Sequence, residues 1–199
     1  MQPTTLRQRA YRRLHAKFLS GELVAGMTLT ENQLAKELGM SRTPIREALE
    51  SLAAAAAAQR ISPDSLSKLD GLWGNMNEIS LEFQQSGEPF LEGDLLRRYL
   101  ASDLEFHQIV VDAAGNRYLS KIVNDTRLLV RVFTSTFWRY DREKLNESNR
   151  FHLRLLEALR CKDAEAARIA TLEAMQVSRD NALRAWNQHV APALEANKN

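Results

Sequence analysis

The sequence predicts a mainly α protein in two parts, an N-terminal helix-turn-helix domain and an all-helical antiparallel bundle behind it. Three observations predict it. Apolar residues recur at three- and four-residue steps through most of the 199 residues. Helix start and stop signals punctuate the chain at short intervals. From residue 62 onward no stretch alternates apolar and polar side chains as a half-buried strand must.

Residues 6–20 set Leu6, Ala10, Leu14 and Phe18 at steps of four among basic side chains, which makes the first helix. GELVAGMTLT follows, with two glycines and a short β-leaning piece. Thr30 then stands as an N-cap before ENQLAKELG, with Gln33 three positions on as its capping-box partner, so a second helix covers residues 31–38. Gly39 ends it and Ser41 caps the next start. TPIREALESL carries Ile45, Leu49 and Leu52 on one face of a third helix. Two short helices across a tight glycine turn make a helix-turn-helix. Residues 53–58 are six alanines, which suit a helix but carry almost no packing information.

Later punctuation falls at Ser62-Pro63-Asp64, at Gly87-Glu88-Pro89, at Gly115-Asn116 and at Asp163. Between these signals we expect five helices, over 64–85, 90–114, 117–139, 142–161 and 164–190, with the short connections of an antiparallel bundle. The chain thus divides into residues 1–60, 61–190 and a tail over 191–199.

Apolar residues make up 44% and charged residues 26%, close to ordinary globular proteins, which excludes disordered and collagen-like classes. No apolar run approaches the roughly 20 residues that cross a bilayer, and the basic N-terminus has no apolar segment behind it. A cytoplasmic protein with no membrane partner is expected. Cys161 is the single cysteine, which excludes an internal disulfide and a cysteine-built zinc site; its plain reading is a small buried apolar residue. The net charge of +2 hides an asymmetry, because residues 1–62 hold 9 Lys and Arg against 5 Asp and Glu while the remainder holds 18 against 20. A basic module joined to a slightly acidic one points to nucleic acid at one end and a different task at the other.

The second helix of a helix-turn-helix enters the major groove and meets base edges and phosphates with its first residues. Here those are Ser41, Arg42, Thr43, Pro44 and Arg46. Arginine forks onto guanine or phosphate, and hydroxyls and free first-turn amides suit phosphate oxygens. Taken alone, Arg42 and Arg46 also fit an ordinary solvated helix face. The string GELVAGMTLTENQLAKELGMSRTPIREALESL, however, resembles the N-terminal domain of the GntR superfamily of transcription regulators, with the match running from Tyr11 to Leu52. The resemblance implies a winged helix-turn-helix in which Arg42, Thr43 and Arg46 contact operator DNA, with Lys36 and Glu31 flanking the phosphate backbone. The sequence departs from the family pattern after the third helix. A glycine-bearing β-hairpin wing and the helix that opens the C-terminal domain are both expected there, and alanines with Gln59-Arg60-Ile61 stand in their place.

In GDLLRRYLASDLEFHQIVVDAAGN, Asp103 and His107 lie four apart on one helical face, within reach of a common ion. Carboxylate with imidazole suits zinc, manganese or nickel, and the same spacing also suits a plain surface hydrogen bond. His152, in ESNRFHLRLLEAL, reads by itself as a core-facing histidine. Together with KDAEAARIATLEAM, these segments resemble the FCD-type effector domain of the FadR branch of the same superfamily. That resemblance implies a divalent metal held by Asp103, His107 and His152, with the fourth ligand position at Ser178. A neutral hydroxyl there weakens the site, although three ligands remain chemically sufficient. It also implies a small carboxylate effector. Arg127 and Arg131, four apart on TRLLVRVF, offer it cations, and Trp138 and Tyr140 an apolar wall. A surface arginine pair and packed aromatics fit the same residues.

The expectation is therefore a homodimeric, ligand-responsive transcription regulator of the repressing kind, with two recognition helices about one turn of DNA apart. Two other readings stay open on the sequence. One is a metal-dependent hydrolase using Asp103, His107 and His152, for which no general base is evident. The other is an interaction protein that has lost DNA binding.

Overall fold

A computed structural model of the chain describes residues 5–20, 30–116, 119–121, 123 and 139–185. The described residues form α1 (Leu6–Leu19), α2 (Glu31–Leu38), α3 (Arg42–Arg60), α4 (Pro63–Gln85), α5 (Gly93–Ala113), α6 (Arg142–Arg160) and α7 (Ala164–Ala185). No strand occurs among them. Residues 119–121 and 123 are helical, and the rest of the helix expected over 117–139 lies outside the described residues.

The local signals act as the sequence suggests. The Thr30 hydroxyl accepts from the Gln33 amide at 3.2 Å while the Gln33 side chain accepts from the Thr30 amide at 2.7 Å, closing the capping box. Gly39 adopts φ +63°, and the Met40 amide reaches back to the Ala35 carbonyl at 2.9 Å. This is a Schellman stop, and it needs the left-handed conformation that glycine enters without a Cβ penalty. Ser62, with Pro63 behind it, caps α4 through the Ser65 amide. The α5 helix begins at Gly93, three residues later than expected, because the Leu91 amide donates to the Tyr140 carbonyl at 2.8 Å and holds the approach to the helix extended.

Two apolar cores sit side by side. One joins α1, α2 and the first half of α3 through Ala10, Leu14, Leu34, Ile45, Ala48 and Ala53, and is closed by Val111 and Ala114 from the end of α5. The other fills the bundle of α4 to α7 around Phe83, Tyr99, Phe106 and Leu156. Helix α3 belongs to both. Ala54, Ala57 and Ala58 are buried in the bundle core, so the alanine run is the seam where α3 enters it. The second half of α3 thus occupies the place of the bundle-opening helix whose absence the sequence suggested. Methyl side chains let the neighbouring helices approach α3 closely, which larger residues prevent.

Polar contacts fasten the seam. Gln59 donates to the Lys162 carbonyl and Arg60 to the Ala114 carbonyl, both at 2.8 Å. Gly115, at φ +68°, lies under Arg60, and a Cβ there would meet the guanidinium at 3.0 Å. Cys161 corrects one expectation. It is exposed rather than buried, because it caps the end of α6 at the turn into α7. Among the described residues no helix is long and apolar enough to cross a membrane.

Candidate nucleic-acid interface and metal-ligating cluster

The Schellman turn at Gly39 aims the start of α3 outward. Ser41 takes the N-cap position, but its hydroxyl makes no capping bond, and the residue is exposed. Ser41, Arg42 and Thr43 are exposed, Arg46 is half-buried one turn along, and Lys36 is exposed on α2. Pro44 departs from the expected set of contacts. It is buried within the first turn of α3, where proline's fixed φ and missing amide cost nothing, while its neighbours Arg42 and Thr43 are exposed. Glu31 also differs from a flanking contact. It is buried at the start of α2, with Arg42 Nη2 at 3.5 Å and Arg46 Nε at 3.7 Å from its carboxylate.

Inside the bundle, α5 contributes Asp103 and His107, and α6 contributes His152. His152 Nε2 lies 3.1 Å from Asp103 Oδ1 and 3.2 Å from His107 Nε2, and the His107–Asp103 separation is 3.7 Å. Donors about 2.0–2.1 Å from one ion are about 2.9 Å apart in octahedral and about 3.4 Å apart in tetrahedral geometry. The three observed separations lie on either side of the tetrahedral value and above the octahedral one, so the donor set fits a divalent ion in near-tetrahedral geometry.

The imidazoles are oriented by their surroundings. His152 Nδ1 sits 2.8 Å from the Ser148 carbonyl, which can only accept, so Nδ1 carries a proton and Nε2 is the nitrogen turned to the cluster. Phe106 meets both histidine rings edge-on. Beneath them the Tyr99 hydroxyl donates to Ser148 Oγ at 2.9 Å or Asn149 Oδ1 at 3.1 Å, while Asn149 Nδ2 donates to the Met76 carbonyl. Burial, followed by the charges of Tyr140 and Asp103, pushes the Tyr99 hydroxyl well above its ordinary range, so it stays a neutral donor.

The other expected positions fare differently. Ser178 is exposed on α7, and among the described residues the three converging donors come from α5 and α6. Tyr140 is half-buried with its ring 5.5 Å from that of Tyr99. Arg127, Arg131 and Trp138 lie outside the described residues. Sequence reasoning missed Tyr99, Phe106 and Ser148. The signal was present, because Tyr99, Asp103, Phe106 and His107 recur at steps of three and four on one face of α5, and Ser148 lies one turn before His152.

Comparison with known proteins agrees with this architecture. Residues 6–64 match the model of the bacterial regulatory proteins of the gntR family, and residues 43–177, more than half of the chain, match the FCD domain. The chain belongs to the gntR family of bacterial regulators. The two matches overlap along α3, the helix that both cores share. The regulator is similar in structure to E. coli McbR/YncC, at 20% identity and a TM-score of 0.54, over 92% of this chain and 100% of that one. It also resembles Streptococcus agalactiae GntR, at 20% identity and a TM-score of 0.46 over 88% and 100% of the two chains. A third solved structure is of Lar, which controls expression of the Listeria monocytogenes agr system, at 20% identity and a TM-score of 0.46 over 94% and 99%. No curated protein matches the chain. With its gntR reading head and FCD bundle, the protein is a ligand-responsive, DNA-binding transcription regulator, of a family that is generally non-enzymatic.

Proposed function

We propose that this regulator is a cytoplasmic homodimeric repressor released from a near-palindromic operator by a small carboxylate taken up in its bundle. Residues 1–60 do the reading and residues 61–190 the sensing. Ser41, Arg42, Thr43 and Arg46 meet bases and phosphates, and Lys36 adds a phosphate contact. Asp103, His107 and His152 hold a zinc, manganese or nickel ion, without help from Ser178. When bound, such an ion supplies a positive centre for a carboxylate oxygen. Arg127 and Arg131 supply further cations for the effector, and Trp138 an apolar wall. No catalytic step is assigned to the cluster.

The observation that supports this reading is the convergence of three donor atoms, at ion-binding separations, in the bundle that shares α3 with the reading head. The test is metal content per chain on protein purified without chelator, beside His107→Ala, followed by operator binding with and without added carboxylates. Close to one ion in wild type and none in the variant is expected, with carboxylates lowering operator affinity only in wild type. An empty wild type after metal is supplied overturns the metal-assisted part. Unchanged operator binding in every carboxylate overturns the effector class.

A further inference from the structure

Glu31 occupies an unexpected place for an acidic residue in a DNA-binding head. Its carboxylate is buried, and it lies between the two arginines that lead α3. Arg42 and Arg46 are four residues apart, on one face of that helix, so one carboxylate can address both. The starts of α2 and α3 add their dipoles in favour of a negative charge at this point. The separations of 3.5 and 3.7 Å exceed an N–H···O hydrogen bond of about 2.7–3.2 Å, so charge attraction holds the arginines without consuming their hydrogens.

The side that faces Glu31 matters. Arg46 turns its Nε toward Oε1, and both atoms are buried. A guanidinium held from its Nε side keeps the Nη1–Nη2 edge, and that edge can fork onto guanine O6 and N7. Arginine is otherwise rich in rotamers, and a phosphate will take it in almost any of them.

We propose that Glu31 is the positioning residue that sets the base preference of the reading head, holding Arg46, and with it Arg42, in the orientation that reads guanine. This rests on the reading that the start of α3 contacts DNA. It carries a signature that a purely structural residue lacks, because Glu31 acts in opposite directions on two affinities. Its negative charge repels phosphate and so lowers binding to any duplex, while its hold on Arg46 raises binding to the correct one.

The test begins with duplexes selected by the wild-type chain from a randomised pool. Dissociation constants for the selected duplex and a scrambled one are then measured across a salt series for wild type, Glu31→Gln, Glu31→Asp and Arg46→Ala. In Glu31→Gln the scrambled duplex is bound as well as or better than by wild type. The ratio of scrambled to selected constants falls about tenfold or more, and reselection with the variant relaxes a guanine in each half-site. A folded Glu31→Gln protein whose ratio stays within about twofold of wild type overturns the proposal, since a lost bidentate contact is worth far more. Glu31→Asp covers a glutamine variant that does not fold. It keeps the charge but withdraws it by one methylene, and it must show the same fall in ratio; a wild-type ratio there is equally fatal. Arg46→Ala separates the two layers. If it keeps the wild-type ratio, the assignment of α3 to DNA is wrong; if it loses the ratio while both Glu31 variants keep theirs, only the role of Glu31 fails.

Discussion

At the scale of single residues, Tyr99 shows how the bundle supports the Asp-His-His cluster. Its ring is fully buried, its hydroxyl serves Ser148 and Asn149, and Ser148 in turn fixes His152 through its carbonyl. The hydroxyl acts on the α6 side chains, whereas the imidazole depends on an α6 backbone oxygen. Tyr99→Phe therefore destabilises the fold without emptying the site. We expect a loss of about 1–2 kcal/mol in urea unfolding, from buried acceptors left without their donor, and metal content equal to wild type. His152→Ala does the converse and removes the ion proposed for the cluster. Equal metal loss in both variants would show that the hydroxyl network reaches the ligands themselves. The pair Asp103 and His107 was legible in sequence, because four-residue spacing puts both on one face. The approach of His152 could not be read from spacing, since it depends on how α6 packs against α5, and only the family resemblance joined it to the pair. Glu31 was illegible for a related reason, as an acidic residue at a helix start ordinarily reads as a solvated partner of the helix dipole.

At the scale of elements, the caps were the best-read features and the alanines the worst. Thr30, Gly39, Ser62 and Asp163 carry their signals in their own side chains or conformations, and each bounds a helix where expected. Six alanines say helix but not which helix they touch, so their burial between two cores depends wholly on partners far along the chain. Asp141, the cap of α6, yields a prediction on pH. Burial raises its pKa, but bonds from the Lys144 side chain and amide outweigh that, and the carboxyl is held below its ordinary range. A lowered folded value means that the cap's contribution is complete above the unfolded carboxylate pKa and fades as pH falls through the folded one. Asp141→Asn keeps a capping oxygen but cannot titrate. Its melting temperature should decline less between pH 5 and pH 3 than that of wild type; parallel declines would remove Asp141 from the acid response.

At the scale of the whole molecule, α7 spans sensing bundle and reading head, and one ion pair marks the crossing. Arg179 Nη1 bonds Glu47 Oε1 at 2.7 Å, one residue beyond Arg46 on α3, and nearer the start of α7 the Arg168 guanidinium lies over the Tyr11 ring of α1. The pair is unequal, since Glu47 is 7% exposed and Arg179 40%. Arg179→Ala strips a buried carboxylate of that guanidinium, a loss of about 2 kcal/mol or more, whereas Glu47→Gln leaves a cation that water can serve and costs less. The same asymmetry bears on regulation. If effector binding shifts α7, the displacement reaches α3 through this contact, and the coupling between the two sites passes through it. Couplings of this kind amount to about 5–150-fold in affinity. In Glu47→Gln, the milder variant, the effector's influence on operator binding should shrink by several-fold while metal content stays at the wild-type level. An unchanged effector response in that variant would assign the coupling to the α3 seam itself, where Ala54, Ala57 and Ala58 join the reading helix to the bundle core.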